Sequence, residues 1–393
     1  MVAGTRLDFQ DTHYREGAAC LQTGSGFFRV QSRPSRDLSV LLAAHQAARA
    51  TGPQHWLDLM AGCGIRGLRW GLESATQSRH PPLALWLNDA DPERMDHLEA
   101  NLKPLSGHSS VDLSLTQQPA ERLLRQAYLD QRRFDLIDLD AFGCPNSLLQ
   151  SALSVLRFGG VLILASTDGR SPTGHDRVAA VRRFAAAARA HPSSWELALR
   201  LQLAALAREA WVMGHGLEPL VCFSDGRTFR LAVRLHRRVA AGEENNLGVL
   251  ARCDQCGDQA VQPVLKLCGW RACACLPDAG RWAVSGPLWV GPLQSPVLLE
   301  QLLILSEAMP GTLAPSSRRL LERLQGDPGL PVCCWSTDEL AKRLGLAGPP
   351  PLRRLVQSLQ DGGYQACVSG VMTGQLRTDA PLKVLLQRCA DLG

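Results

Sequence analysis

The chain has 393 residues, 42 Lys and Arg against 37 Asp and Glu, a formal charge of +5 and a sequence pI near 8.6. With 45% hydrophobic and 20% charged residues it can bury a core, which excludes wholesale disorder, and at about 150 residues per domain its length predicts two or three domains. No apolar run approaches the roughly 20 residues that cross a bilayer, and Met1 to Arg6 has no secretory character; the expectation is a cytoplasmic globular protein without membrane contact, whose mild positive balance permits an acidic partner.

From Gln54 to Arg238 short apolar segments alternate with amphipathic ones, the pattern of a parallel sheet covered by helices on both faces. The predicted strands are residues 55–60, 83–89, 111–115, 134–140 and 160–166. The last two are nearly continuous apolar runs, as central parallel strands should be. Asp91-Pro92 opens a helix, with Asp91 as cap and Pro92 at the first helical position, and Asn101-Leu102-Lys103-Pro104 closes it. The Ala-rich residues 185–190 read as ordinary helix. Asp225-Gly226 predicts a tight hairpin joining 218–224 to 228–236, so the sheet ends antiparallel. Residues 240–246 read as a linker, dividing the chain into 1–240 and 241–393. Beyond Ser295 the pattern is mainly helical: a capping box at Ser336-Thr337-Asp338-Glu339 opens one helix, Gly362-Gly363 stops another, and strand-like 364–368 follows in a winged-helix-like order.

The first strand runs into Asp58-Leu59-Met60-Ala61-Gly62-Cys63-Gly64-Ile65-Arg66-Gly67. Gly62, Gly64 and Gly67 have the G-x-G-x-x-G spacing of a nucleotide-binding turn, and Asp89 ends the second strand, where an acid binds a ribose hydroxyl. The glycines alone leave NAD and S-adenosylmethionine both open. Asp58 tilts the choice, because a carboxylate there suits the cationic amino-acid end of S-adenosylmethionine and would repel a pyrophosphate. The antiparallel final hairpin, by fold analogy, belongs to the methyltransferase version of this sheet. An NAD-dependent dehydrogenase would also need a catalytic His or Lys in a matching context, and none is apparent.

At the carboxyl end of the fourth strand stands Asp138-Leu139-Asp140-Ala141-Phe142-Gly143-Cys144-Pro145, where ligands of open α/β sheets bind. An exocyclic base amine has its lone pair delocalised into the ring, so methylating it requires an acceptor that turns its N–H bonds. Asp140 can be that acceptor, and Phe142 can stack on an extruded base. The alternative is that Asp140 caps the next helix and Phe142 lies in the core.

This stretch resembles the D-P-F-G-S-P motif of the tRNA (guanine-26) N2-dimethyltransferase family, with Ala141 for Pro and Cys144 for Ser. Glu16-Gly17-Ala18, Ser35-Arg36-Asp37-Leu38-Ser39, Ile65-Arg66-Gly67-Leu68-Arg69, Asn88-Asp89, Ser166-Thr167-Asp168, Pro219 to Ser224 and Gly286 to Gly291 are similar to further family elements in the same order, so the likeness covers nearly the whole chain. It implies a class I S-adenosylmethionine methyltransferase fold, with an α+β C-terminal domain, that dimethylates N2 of a tRNA guanine. It further implies Arg36, Arg66 and Asp89 as cofactor contacts, Asp140 on the amino group, and Phe27 or Phe28 with Phe142 as walls of the base pocket. The family's D-A beside the adenine is replaced by Gln118-Pro119-Ala120, which leaves Ala120 at that position without the acid. Alternatives are an amino-group methyltransferase on another RNA or a protein, and a tRNA-binding homologue that has lost catalysis.

Thirteen cysteines, an odd number, without a secretory segment argue against a disulfide framework. Cys253-Asp254-Gln255-Cys256 is a C-x-x-C knuckle, and Cys268, Cys273 and Cys275 are three candidates for the two further places of a closed, structural zinc site; unliganded thiols are the alternative. Arg318-Arg319, Lys342-Arg343 and Arg353-Arg354 either follow a phosphate backbone or are solvated helix faces. A monomer acting on tRNA is expected.

Overall fold

The computed structural model describes residues 13–24, 28–226, 228–273, 275 and 282–393. They form two compact units that interleave along the chain: Met1–Asp140 with Ser154–Ile163 and Gln301–Arg318, and Ala141–Leu153 with Leu164–Glu300 and Arg319–Gly393. A seven-stranded mixed sheet runs in the order Val111–Gln117, Leu83–Asp89, His55–Asp58, Phe134–Asp140, Leu156–Ser166, Phe229–His236, Gly216–Ser224. The first strand of this sheet in sequence, His55–Asp58, pairs in parallel with Leu83–Asp89 on one side and Phe134–Asp140 on the other; the earlier strands His13–Glu16 and Ala19–Gln22 form a separate antiparallel hairpin. The last two strands form the expected antiparallel hairpin, with a register shift between Pro219 and Val221.

In the first unit, Leu57, Leu85, Leu87, Leu136 and Ile137 are buried, which is why these segments read as apolar runs. Trp56 and Trp70 meet edge to face at 5.9 Å beneath them. Helix Pro92–Leu102 starts as expected: the Asp91 carboxylate accepts the Glu93 amide, satisfying one of the helix's free N–H groups. Residues 301–318, far along the chain, join this unit through Asp37, whose Oδ2 accepts from Ser317 Oγ at 2.6 Å and from the Ala314 amide at 2.9 Å.

The second unit is built on helix Ser194–Val212, most of whose residues are buried. Strands Leu247–Cys253, Gln259–Pro263 and Trp282–Trp289 make a three-stranded antiparallel sheet. A further one, Cys334–Ser336, Gln375–Thr378 and Ala366–Val368, packs with helices Thr337–Leu344, Leu352–Asp361 and Leu382–Ala390 around Trp335, Leu340, Leu355, Leu359 and Leu385. Residues 185–190 depart from the expected helix. Helix Arg177–Phe184 stops at Ala185, which is left-handed at φ 48°, and Ala187 pairs with Gly286 in a lone bridge. The Phe184 carbonyl accepts from the Arg208 guanidinium at 2.5 Å, so tertiary partners take the groups that another helical turn would have used. No helix among the described residues is long and apolar enough to cross a membrane.

Candidate active site

Strand His55–Asp58 ends against Asp138, with the Leu59 amide donating to the Asp138 carbonyl at 3.0 Å, and the chain then turns through the glycines into helix Ile65–Arg69. Gly62 and Gly64 have φ of 57° and 78°, the left-handed region that favours glycine. A Cβ on Gly64 would lie 2.5 Å from Leu98, and one on Gly67 2.5 Å from Leu87, whereas a Cβ on Gly62 would meet nothing within 4 Å. Gly64 and Gly67 therefore serve packing, and Gly62 leaves open space beside the backbone. Asp89, half-buried, accepts the Gly62 amide at 2.7 Å through Oδ2 and the Asp91 amide at 3.0 Å through Oδ1. Its remaining lone pairs stay available to a hydroxyl.

Two asparagines fasten the turn, and nothing in the sequence singled out their side chains. Asn88 donates to the Leu59 and Gln118 carbonyls, and Asn101 to the Gln22 and Cys63 carbonyls. Ala120 is half-buried and begins helix Ala120–Leu129 after Pro119, two residues beyond the Gln118 carbonyl that Asn88 holds.

Asp58 is 1% exposed. One carboxylate oxygen accepts the Gly67 amide at 3.2 Å; the other, Oδ1, has no hydrogen-bond partner among the described residues. Burial, with Asp138 and Asp140 nearby, pushes its pKa up to about 7 against the pull of Arg66. Arg66 is the buried cation of this cluster. Its Nη1 donates to Asp138 Oδ1 at 2.7 Å and its Nη2 to Asp140 Oδ2 at 3.1 Å, while Nε has no partner among the described residues. Although burial disfavours the charge, the surrounding carboxylates hold Arg66 above its usual range. Asp140, at the strand's end, keeps 28% of its side chain exposed, so the structure unites Asp58, Arg66, Asp138 and Asp140 with one edge open. Asp138, to which no role was assigned from sequence, was legible only as a polar residue inside an apolar strand.

Arg36, on helix Arg33–Ala48 of the same unit, finds its partners elsewhere, on Glu16 and the chain at residues 28–30. Its Nε and Nη2 grip Glu16 at 2.8 and 2.6 Å, Nη1 donates to the Arg29 carbonyl, and the guanidinium sits 4.9 Å over the Phe28 ring. Tyr14 packs edge-on against Phe28 at 4.9 Å and donates its hydroxyl to Glu16. Burial works against ionised Glu16, but Arg36 and Arg69 outweigh it and hold the carboxyl below its usual range. Phe27 lies outside the described residues.

The family model for N2,N2-dimethylguanosine tRNA methyltransferases matches residues 15–390. The chain belongs to the N2,N2-dimethylguanosine tRNA methyltransferase family. It is 30% identical over 367 residues to the tRNA (guanine(26)-N(2))-dimethyltransferase of Methanosphaerula palustris, covering 91% of this chain and 90% of that protein. To the protein of the same name from Methanocorpusculum labreanum it is 28% identical over 371 residues, covering 92% and 89%. A solved complex of Trm1 from Pyrococcus horikoshii with S-adenosyl-L-methionine matches with a TM-score of 0.79 at 22% identity, covering 96% of this chain and 99% of that one. The fold is thus the α/β methyltransferase sheet with a further antiparallel sheet in the C-terminal region.

In this member of the N2,N2-dimethylguanosine tRNA methyltransferase family the second unit presents the turn after Asp140. Gly143, at φ 78°, donates its amide to Thr167 Oγ1 at 2.6 Å and accepts from Ser166 Oγ and the Thr167 amide. The Phe142 ring on this turn is 76% exposed, which removes the core reading. Asp168 accepts from the Ser171 amide and from Arg183 at 2.7 Å, contacts that outweigh burial and lower its pKa.

Of the five cysteines weighed for a metal, Cys253, Cys256, Cys273 and Cys275 converge, their sulfurs all within 4.8 Å of one another. Cys268 is not among them: it is exposed, and its amide donates to Gln262. The turn after Cys253 is a knuckle, with the Gly257 amide on the Cys253 carbonyl and the Cys256 amide on the Cys253 sulfur. Four thiols at this spacing match a tetrahedral site with metal–sulfur bonds of about 2.3 Å.

Proposed function

We propose that this chain is an S-adenosylmethionine-dependent tRNA (guanine-26) N2-dimethyltransferase. The observation that carries the cofactor reading is the pair of buried orphans at the glycine turn, an acceptor on Asp58 and a donor on Arg66. Together they fit an ammonium and a carboxylate, the two ends of a zwitterionic amino acid, and fit a dinucleotide poorly. Gly62 gives the ligand's backbone-close approach, Gly64 shapes the turn, Asp89 takes a ribose hydroxyl, and Ala120 lies toward the adenine; Arg36 adds a second cation. When bound, the cofactor supplies a methyl group already activated on a sulfonium.

The chain's residues then position the amine. The guanine is flipped out of the RNA, and its N2–H bonds are held by Asp140. Arg66 donates to Asp140 Oδ2 and so aims this carboxylate. With the methyl that a bound cofactor would supply, Asp140 would take the proton shed by N2. After that proton leaves, the same acceptor serves the second transfer. Rate comes from alignment, since no further activation of the methyl is needed.

Residues 1–240 carry this chemistry in our reading, and 241–393 hold the RNA and a structural zinc on Cys253, Cys256, Cys273 and Cys275. We place the protein in the cytoplasm as a monomer. The test is incubation with radiolabelled S-adenosylmethionine and unmodified tRNA, followed by nucleoside analysis. Label in N2-methylated guanosine that disappears when guanine 26 is replaced supports the reading; tRNA bound without label overturns it. Asp140→Ala should bind cofactor normally and lose transfer by at least about 100-fold.

A further inference from the structure

Helix Arg177–Phe184 carries a face that the catalytic reading leaves unused. Residues 169–191 hold five arginines against a single aspartate, in a chain whose whole formal charge is +5. The helix buries Ala180 and Phe184 and turns Arg177, Val178, Val181 and Arg182 outward, the positions i, i+1, i+4 and i+5 that share one face. Val178 is 60% and Val181 58% exposed, and neither Arg177 nor Arg182 makes an ion pair among the described residues. The face is rigidly tied to the turn that bears Phe142. Asn146 donates to the Arg183 carbonyl at 2.8 Å and accepts from Gln202 at 2.5 Å, while Arg183 itself is spent on Asp168, whose neighbour Thr167 holds Gly143.

We propose that this face docks the sugar–phosphate backbone of the substrate RNA beside the flipped nucleotide, with Arg177 and Arg182 on phosphates and the two valines against the sugars. The proposal rests on the RNA-methylating reading above. Charge complementarity selects the occupant: unpaired guanidiniums flanking a small apolar strip suit a polyanion with apolar sugar edges, and a purely apolar partner would leave both cations desolvated.

The test measures tRNA affinity of the full chain across salt concentration, for wild type, Arg177→Ala/Arg182→Ala and Val181→Lys, with cofactor binding of each variant as the folding control. Each lost phosphate contact should lower the slope of log K against log salt by about 0.7 to 0.9. The double variant should therefore flatten the slope by roughly 1.4 to 1.8, bind more weakly, and keep its rate at saturating tRNA. Val181→Lys should steepen the slope and tighten binding. An unchanged slope in both variants overturns this docking face while leaving the methyltransferase reading intact. A wild-type chain that fails to bind tRNA overturns both.

Discussion

Asp58 is where burial, charge and ligand chemistry meet in one side chain. Its pKa of about 7 lies above the usual 3.8, so between those values the folded protein holds a proton that the unfolded chain has lost. The cofactor-free protein should therefore lose stability as pH rises from about 4 to about 7, with no further loss from this group above that. A bound ammonium favours the carboxylate, so affinity for S-adenosylmethionine should rise with pH up to about 7, by at most about tenfold per pH unit. Asp58→Asn should bind more weakly, with a flat profile over pH 5 to 8. Calorimetric titration across that range checks it, and an unaltered profile in the variant would remove Asp58 from the site. From sequence, Asp58 was legible because a charge ending an apolar strand is costly without a purpose. Asp138 and the two asparagines were not, because their value lies in partners 29 to 79 residues away.

Among the elements, the glycine turn separates two jobs that share one spacing. Gly64→Ala adds a methyl 2.5 Å from Leu98 at a positive φ, so it should destabilise the fold by about 2 to 4 kcal/mol, seen as a shifted denaturant midpoint. Gly62→Ala faces open space and should cost only about 1 kcal/mol, from its backbone conformation, yet it should impair cofactor binding far more than its stability loss suggests. Equal effects on binding per unit of lost stability would mean that the turn is only a turn. Strand Phe134–Asp140 matches its expected limits because both faces of a central parallel strand are buried and the apolar run ends where burial ends; Leu83–Asp89 matches too, with one face buried and Ala84 and Trp86 on the other half-buried. Residues 185–190 show the opposite case. Alanine is the best helix former, but intrinsic propensity is worth less than about 1 kcal/mol per residue, and here one bridge to Gly286 with one guanidinium on Phe184 accompanies its override.

At the scale of the whole molecule, distant segments are joined by buried charges in both units and, in the second, also by a thiol cluster. Arg69, fully buried, binds Glu16, Asp37, Glu73 and the Thr312 carbonyl, gathering four stretches of the first unit around one cation. In the second unit Arg377 does the same for Asp327 and Glu196. The cysteines close a loop-rich segment with little core of its own, so purified protein should carry about one zinc per chain. Its removal by a chelator should lower the melting temperature by several degrees while cofactor binding persists. Metal-free protein whose melting a chelator does not change would leave four unliganded thiols.

The local pattern alone determined the alternating α/β class, the antiparallel end of the sheet, the glycine turn with Asp58 and Asp89, and the Asp140–Phe142 stretch, because each depends on burial or turn chemistry within a few residues. Only the tertiary structure decided that Arg66 bridges Asp138 and Asp140, that Glu16 holds Arg36, and that Cys273 and Cys275 complete the cluster in place of Cys268. Those choices are pairings between side chains far apart in sequence. Several partners satisfied the same local rules, and the fold selected among them by which it brought within reach.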